Sequence, residues 1–105
     1  MYAWEKFYLA ARTLNESGAT PRKSLENAFV HNILVLNEAD IPDQLLQQFK
    51  EINALVTLPE GVPPIAGHNG CSYAISALSD DQVASCIQKI KNIYLELEKI
   101  NKENA

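Results

Sequence analysis

His68 and Cys71 lie three residues apart in the stretch PIAGHNGCSYAIS, and no other pair in the chain points as directly to chemistry. An imidazole close to a thiol can bind a metal ion or form a Cys–His nucleophile. The same stretch contains Gly67 and an Asn-Gly pair, which are typical of a turn that simply exposes the histidine. We favour the turn, and we keep a reactive site at His68 and Cys71 as the alternative.

A zinc site needs about four ligands, so His68 and Cys71 would require help from elsewhere in the chain. The remaining cysteine and histidine, Cys86 and His31, both fall within predicted helices. Cys86 lies on an apolar stripe, where a thiol behaves as a small buried hydrophobe. His31 is predicted to be a partly exposed helix residue. We therefore expect no metal, no cofactor and no catalytic residues.

The acidic residues also suggest structural roles. Asp80 and Asp81 are adjacent, so on a helix they point about 100° apart and suit a helix start better than acid–base catalysis. Glu38, Asp40 and Asp43 cluster before a predicted helix, but their spacing lacks the central glycine of a calcium loop.

Composition limits the class of protein. The chain has 105 residues, of which 47% are hydrophobic, and a formal net charge of −4. These values predict a single globular domain and disfavour a nucleic-acid-binding protein, which would need a basic face. The longest apolar run, ILVL, is far too short to cross a membrane, so we expect no membrane partner and a cytoplasmic location. The three closest cations, Arg12, Arg22 and Lys23, are interpreted as solvated helix ends.

The hydrophobic period is helical throughout. A first helix is predicted over about residues 2–16, with a stripe formed by Trp4, Phe7, Tyr8, Ala11 and Leu14. Thr20 and Pro21 predict the start of a second helix that continues to about Leu36.

Two more helix starts are visible in the sequence. Asp40 is predicted to cap a third helix, with Pro42 in its first turn. Ser79 and Gln82 have the spacing of a capping box at the start of the last helix. The segment CSYAISAL before it is too short to assign by its period and fits an edge strand or a short helix, of which we favour a helical turn.

Proline and glycine density predicts a long loop over residues 57–70, and residues 101–105 are predicted to be a frayed tail. The sequence therefore predicts an all-α fold. Its expected form is an antiparallel four-helix bundle in one domain over residues 1–105, with the long loop before the last helix.

Three segments, AWEKFYLAARTL, EADIPDQL and ALSDDQVASCIQKIKNIYLEL, resemble a family of small uncharacterised all-helical bacterial proteins. This resemblance covers most of the chain and implies a helical fold without a particular activity. The cysteines and histidines are not part of the shared pattern.

Four apolar residues lie outside the predicted core stripes or widen them. Tyr2 and Leu95 fall off the stripes of the first and last helices, and Val30 and Leu34 widen the stripe of the second. Exposed residues of this kind are typical of protein interfaces. We therefore expect a non-enzymatic accessory, regulatory or immunity-type protein that binds another protein or forms a homodimer, with acidic side chains selecting a basic partner. The alternative is a small metal- or thiol-dependent enzyme centred on His68 and Cys71.

Overall fold

The computed structural model describes residues 2–16, 18–56 and 70–103, with the side chains of residues 70–73 outside that description. These residues form five α-helices and no strand, so the predicted all-α class is confirmed. The helices are α1 (Tyr2–Asn15), α2 (Pro21–His31), α3 (Asp43–Leu55), α4 (Gly70–Ala77) and α5 (Asp80–Glu103), with 3₁₀ turns at Ile33–Val35 and Glu38–Asp40. The structure thus has one α-helix more than the four-helix bundle that the sequence predicts, because the predicted turn before Ser79 is a complete helix, α4.

Two helix starts follow the local sequence. The Thr20 side chain accepts a hydrogen bond from the Lys23 N–H at 3.2 Å, and Pro21 begins α2. Ser79 and Gln82 exchange side-chain and backbone hydrogen bonds of 2.9 and 3.1 Å at the start of α5. Both predicted starts are confirmed, since each depends only on residues within one helical turn.

The second helix ends earlier than predicted. α2 stops at His31 rather than near Leu36, because Asn32 leaves the helical conformation with φ −130° and ψ −58°. The chain then forms a 3₁₀ turn, in which residues three apart lie on the same side. Ile33 and Leu36 are buried as a result, while Leu34 and Val35, between them, are exposed.

Asp40 does not cap the third helix. Its carboxylate accepts a hydrogen bond from the Asn37 N–H at 2.8 Å, which completes a capping box around the 3₁₀ turn Glu38–Asp40. The residue before a proline avoids the helical conformation, and Ile41 is extended, with φ −103° and ψ 132°. α3 therefore begins only after Pro42, which occupies the N-cap position instead of the first turn.

The predicted loop and tail are only partly within the described residues. Residues 57–69 lie outside them, and Gly70, the last residue of the predicted loop, is the first residue of α4. Residues 101–103 belong to α5 rather than to a frayed tail, and residues 104–105 are outside the description. The extent of the domain stays a prediction.

A common core joins all five helices. The ring centroids of Phe7 and Phe49 are 6.4 Å apart in an edge-on arrangement between α1 and α3. Phe29 from α2, Ile75 from α4 and Ile93 from α5 are also buried in this core. α1 packs along both α2 and α5, which leaves one of its faces without a neighbouring helix in the described part of the chain.

Candidate functional site

The side chains of His68 and Cys71, the predicted reactive pair, both lie outside the description. His68 lies outside the described residues, and Cys71 is the second residue of α4 but its side chain is not described. Cys86 is fully buried in the core, in agreement with its predicted role, and His31 is exposed at the end of α2. Residues 2–16, 18–56 and 70–103 contain no group of three or more His, Cys, Asp and Glu side chains arranged to hold a metal ion.

Two of the three clustered cations have structural partners. The guanidinium of Arg22 donates to the Ile75 carbonyl at 2.6 Å and to the Asp80 carboxylate at 3.0 Å. Lys23 forms an ion pair of 3.7 Å with Glu26, three residues further along α2. Arg22 therefore joins the start of α2 to the end of α4 and the start of α5.

A cluster of three aromatic residues and one carboxylate connects α1 to α5. The indole N–H of Trp4 donates to Glu98 Oε2 at 2.7 Å, and the Tyr94 hydroxyl donates to the same oxygen at 3.0 Å. The ring of Tyr8 stacks on Trp4 at 5.5 Å and lies 6.2 Å from the ring of Tyr94. We call these four residues the Glu98 cluster.

The surroundings of the Glu98 cluster lower the pKa of Glu98 and raise the pKa of Tyr94. The pKa of Glu98 is lowered, first by the hydrogen bond from Trp4 and then by the one from Tyr94. The pKa of Tyr94 is raised, mainly by burial and also by its hydrogen bond to Glu98. Glu98 is thus held as an anion and Tyr94 as a neutral hydroxyl. This arrangement suits a fixed link between helices better than proton transfer at neutral pH.

Glu98 was not among the predicted site residues. Trp4 and Glu98 are separated by 94 positions, so no local pattern relates them. Only the i, i+4 spacing of Tyr94 and Glu98 on one helix could have indicated part of the cluster.

Large hydrophobic side chains remain exposed on several elements. Six of them are between 38% and 55% exposed among the described residues: Tyr2, Tyr8, Leu9, Leu34, Val35 and Leu95. Three of the four residues of the predicted interface are therefore on the surface, whereas Val30 is half-buried against the core. Tyr8, Leu9 and Val35 were not predicted as interface residues. The position of Leu9 off the predicted stripe of the first helix was the available signal.

The predicted interface residues are distributed over four elements rather than one helix face. Leu95 lines an open groove of about 520 Å³ between α3 and α5, beside the amide side chains of Gln44, Gln48 and Asn92. Tyr2 is on α1, where the Lys6 ammonium lies 5.6 Å from the centre of its ring.

A second open groove, of about 420 Å³, lies between α1 and α2. Leu9 and Arg12 from α1 line it together with Asn27 and His31 from α2. Arg12 also lines a smaller groove of about 250 Å³ beside Tyr8 and Tyr94. The side chains of α1 thus face both grooves.

The outward face of α1 is formed by Glu5, Leu9 and Arg12. Their spacing of four and three residues places them on one stripe of a helix, and all three are exposed. Neither Glu5 nor Arg12 has an ion-pair partner within the described part of the chain, where five other ion pairs are found. This face therefore combines an exposed leucine with two charges of opposite sign that have no ion-pair partner among the residues the structure describes.

In the described segments, no helix combines the length and the apolar character needed to cross a membrane. No family model matches the chain. Neither a curated protein nor a solved structure shows significant similarity to it. The resemblance to small helical bacterial proteins therefore stays an expectation. The surface of the molecule is the remaining source of information about its function.

Proposed function

We propose that this chain is a non-enzymatic protein-binding module that acts as an accessory, regulatory or immunity-type factor. The observation that carries the proposal is the set of six large hydrophobic side chains exposed by 38–55% on the outside of the described helices and turns. Exposed aliphatic and aromatic side chains of this kind are typical of surfaces that bind other proteins.

The partner is a second copy of the chain or another protein. The formal net charge of −4 supports this choice over nucleic acid, because an acidic surface repels phosphate groups. The same charge favours a basic protein among other partners. The proposal includes a cytoplasmic location, for which composition is the support.

The proposal is tested with a variant in which Leu9, Leu34 and Leu95, one exposed leucine from each of three elements, are all replaced by serine. A matched control replaces three exposed polar residues, Gln47, Lys50 and Gln88, by serine. Self-association is measured by sedimentation velocity from micromolar to millimolar concentration, and binding to other proteins by capture from a native lysate. We expect the wild type and the control to form complexes that the variant loses.

The proposal is contradicted if the wild type behaves like the serine variant in both measurements. Its non-enzymatic part is contradicted by a different result. Metal retained through purification, or fast alkylation of Cys71 at neutral pH that is absent in Cys71→Ser, would favour the thiol- or metal-dependent alternative.

A further inference from the structure

We propose that α1 binds the α1 helix of a second copy of this chain in the antiparallel direction. Tyr8 and Leu9 then lie at the two-fold axis, and Glu5 of each copy faces Arg12 of the other. This inference rests on the proposed function and names both the partner and the surface.

The proposed surface is the face of α1 that none of the other four described helices covers. Ala3, Phe7 and Ala10 point into the core, while α2 and α5 pack along the two sides of the helix. Glu5 and Arg12 point away from the core and are exposed. A second helix can therefore approach this face without any rearrangement of the fold.

The apolar part of the surface is concentrated on this helix. Tyr2, Tyr8 and Leu9 account for three of the six large exposed hydrophobic residues in the described part of the chain. Tyr8 and Leu9 are adjacent in sequence and project on opposite sides of the line that joins Glu5 to Arg12 along the helix. At a two-fold axis, Leu9 of one copy would contact Tyr8 of the other and would be removed from water.

The charges on the surface select the direction of the second helix. Glu5 and Arg12 are seven residues apart, which is about two turns, so they lie on the same stripe. An antiparallel two-fold axis between residues 8 and 9 exchanges positions 5 and 12 and creates two identical Glu5–Arg12 pairs. A parallel arrangement would instead place glutamate against glutamate and arginine against arginine.

Arg12 is particularly suited to such an intermolecular pair. Of the two arginines in the chain, Arg22 already binds Asp80. Arg12 has no carboxylate partner among the described residues, although Glu16 follows it by four positions, just after the end of α1. The planar guanidinium can bind a carboxylate through two parallel hydrogen bonds, which the second copy would supply.

The other exposed hydrophobic residues fit a second copy less well. Leu95 lies in a groove lined by the side-chain amides of Gln44, Gln48 and Asn92. Leu34 and Val35 lie on a three-residue turn that offers a short surface. Glu96, the charged residue that lines the same groove as Leu95, already pairs with Lys99 at 3.5 Å.

The geometry predicts a weak dimer. α1 has 14 residues, and a helix of that length is about 21 Å long. Contact along one such helix buries less area than a standard protein interface. We expect a dissociation constant on the order of 100 μM, which sedimentation equilibrium can measure.

The test uses charge reversal on the intact chain. Glu5→Arg and Arg12→Glu each replace two attractive pairs by two repulsive ones, and we expect each to weaken the dimer about tenfold. The double variant restores opposite charges at both positions and should recover self-association close to that of the wild type. An equal mixture of the two single variants should associate more strongly than either variant alone.

Matched controls reverse charges on other exposed faces. Glu38 lies on a 3₁₀ turn and Lys50 lies on α3, and both are exposed. Neither Glu38→Arg nor Lys50→Glu should therefore change the dissociation constant of the dimer. Circular dichroism and urea unfolding check that each variant is folded, because both reversals on α1 oppose the helix dipole.

The outcomes separate this inference from the proposed function. Self-association that is insensitive to both reversals, or that the double variant does not recover, overturns the α1 surface and leaves protein binding intact. A wild-type monomer that captures a different protein also overturns the inference alone. A monomer that captures nothing contradicts both.

Discussion

Glu98 is a carboxylate on α5 that links this helix to α1. Its Oε2 atom accepts hydrogen bonds from Trp4 at 2.7 Å and from Tyr94 at 3.0 Å. The bond from Trp4 comes from another helix, whereas Tyr94 is one turn away on the same helix. The Trp4 bond is therefore the one that depends on tertiary structure.

The two donors should contribute unequally to the lowered pKa of Glu98. Trp4 is the larger cause of the lowering, so Trp4→Phe should raise the Glu98 pKa towards its ordinary value more than Tyr94→Phe does. The phenylalanine ring keeps a smaller stacking surface for Tyr8 and removes the indole N–H. NMR titration of the Glu98 side-chain carboxyl in the two variants measures the difference. An equal or larger effect of Tyr94→Phe would contradict the order of the two donors.

Glu98 should also make stability depend on acidic pH. Its folded-state pKa lies below the ordinary value of 4.5, so its contribution is present above about pH 4.5 and is lost as the pH falls through the lower folded-state value. Glu98→Gln should show a shallower loss of unfolding free energy than the wild type between neutral pH and about pH 3. Urea unfolding at a series of pH values measures both slopes.

A control on the same helix completes this pH test. Glu96 pairs only with Lys99 among the described residues, at 3.5 Å and on the surface. Glu96→Gln should therefore keep the slope of the wild type. A wild-type slope in Glu98→Gln would show that the cluster does not contribute to acid stability.

The pKa of Tyr94 is shifted in the opposite direction from that of Glu98. Its pKa is raised above the ordinary value of 10.0, so its contribution is present below that pH and is lost as the pH rises through the higher folded-state value. The Glu98 cluster is thus complete only over the interval between the two titrations, which includes neutral pH.

Among the elements, α4 depends on a contact made by another helix. Arg22 of α2 donates to the Ile75 carbonyl at 2.6 Å, near the end of α4, where the same carbonyl also accepts a hydrogen bond from the Leu78 N–H at 3.2 Å. Asp80 also accepts a hydrogen bond from Arg22, but its side chain is fully exposed. The ion pair between Arg22 and Asp80 therefore contributes little to stability.

Arg22→Met should therefore lower the free energy of unfolding by about 1 kcal/mol, because it keeps the apolar stem but removes both donors. Amide exchange in α4 should become faster in the same variant. Asp80→Asn is the matched comparison and should have a smaller effect on both measurements. If the two variants are equally destabilised, the ion pair rather than the Ile75 carbonyl is the important contact.

The helix starts were the part of the fold that the sequence predicted best. Thr20 and Ser79 cap their helices through bonds to residues three positions ahead, so the sequence contains the whole interaction. The end of α2 was predicted wrongly because Ile33 and Leu36 reach the core through a 3₁₀ turn, a choice that depends on the other helices. The role of Asp40 was mistaken because Asn37, three residues earlier, is an equally good cap residue.

The surface was predicted less completely than the core. The predicted apolar stripes placed Phe7, Ala11 and Cys86 in the core, and all three are buried. An apolar residue that falls off a stripe is harder to interpret, because only the complete packing shows whether another helix covers it. Tyr8 shows this limit: it lies on the predicted core stripe of the first helix, and yet it is exposed beside the Glu98 cluster.

At the scale of the whole molecule, stability depends on the shared core more than on any surface contact. Phe49 is fully buried and its ring contacts that of Phe7, so Phe49→Ala should cost about 3–5 kcal/mol in the free energy of unfolding. This is a large part of the roughly 5–15 kcal/mol typical of a domain. Urea unfolding followed by circular dichroism measures the loss.

Leu34→Ser is the matched control for this core substitution. Leu34 is about half exposed, and its replacement should change the unfolding free energy by less than about 0.5 kcal/mol. A large loss in Leu34→Ser would mean that Leu34 is covered in the folded protein, and it would remove one residue from the proposed binding surface.

The antiparallel contact of α1 with α5 has a consequence for the order of the helices along the chain. Trp4 meets Glu98 and Tyr8 meets Tyr94, so the beginning of α1 and the end of α5 lie side by side. A short linker could join these two ends, and new ends could be opened in the exposed stretch near Glu38. Such a circular permutant would keep every helix-to-helix contact described above while α3 becomes the first helix of the chain.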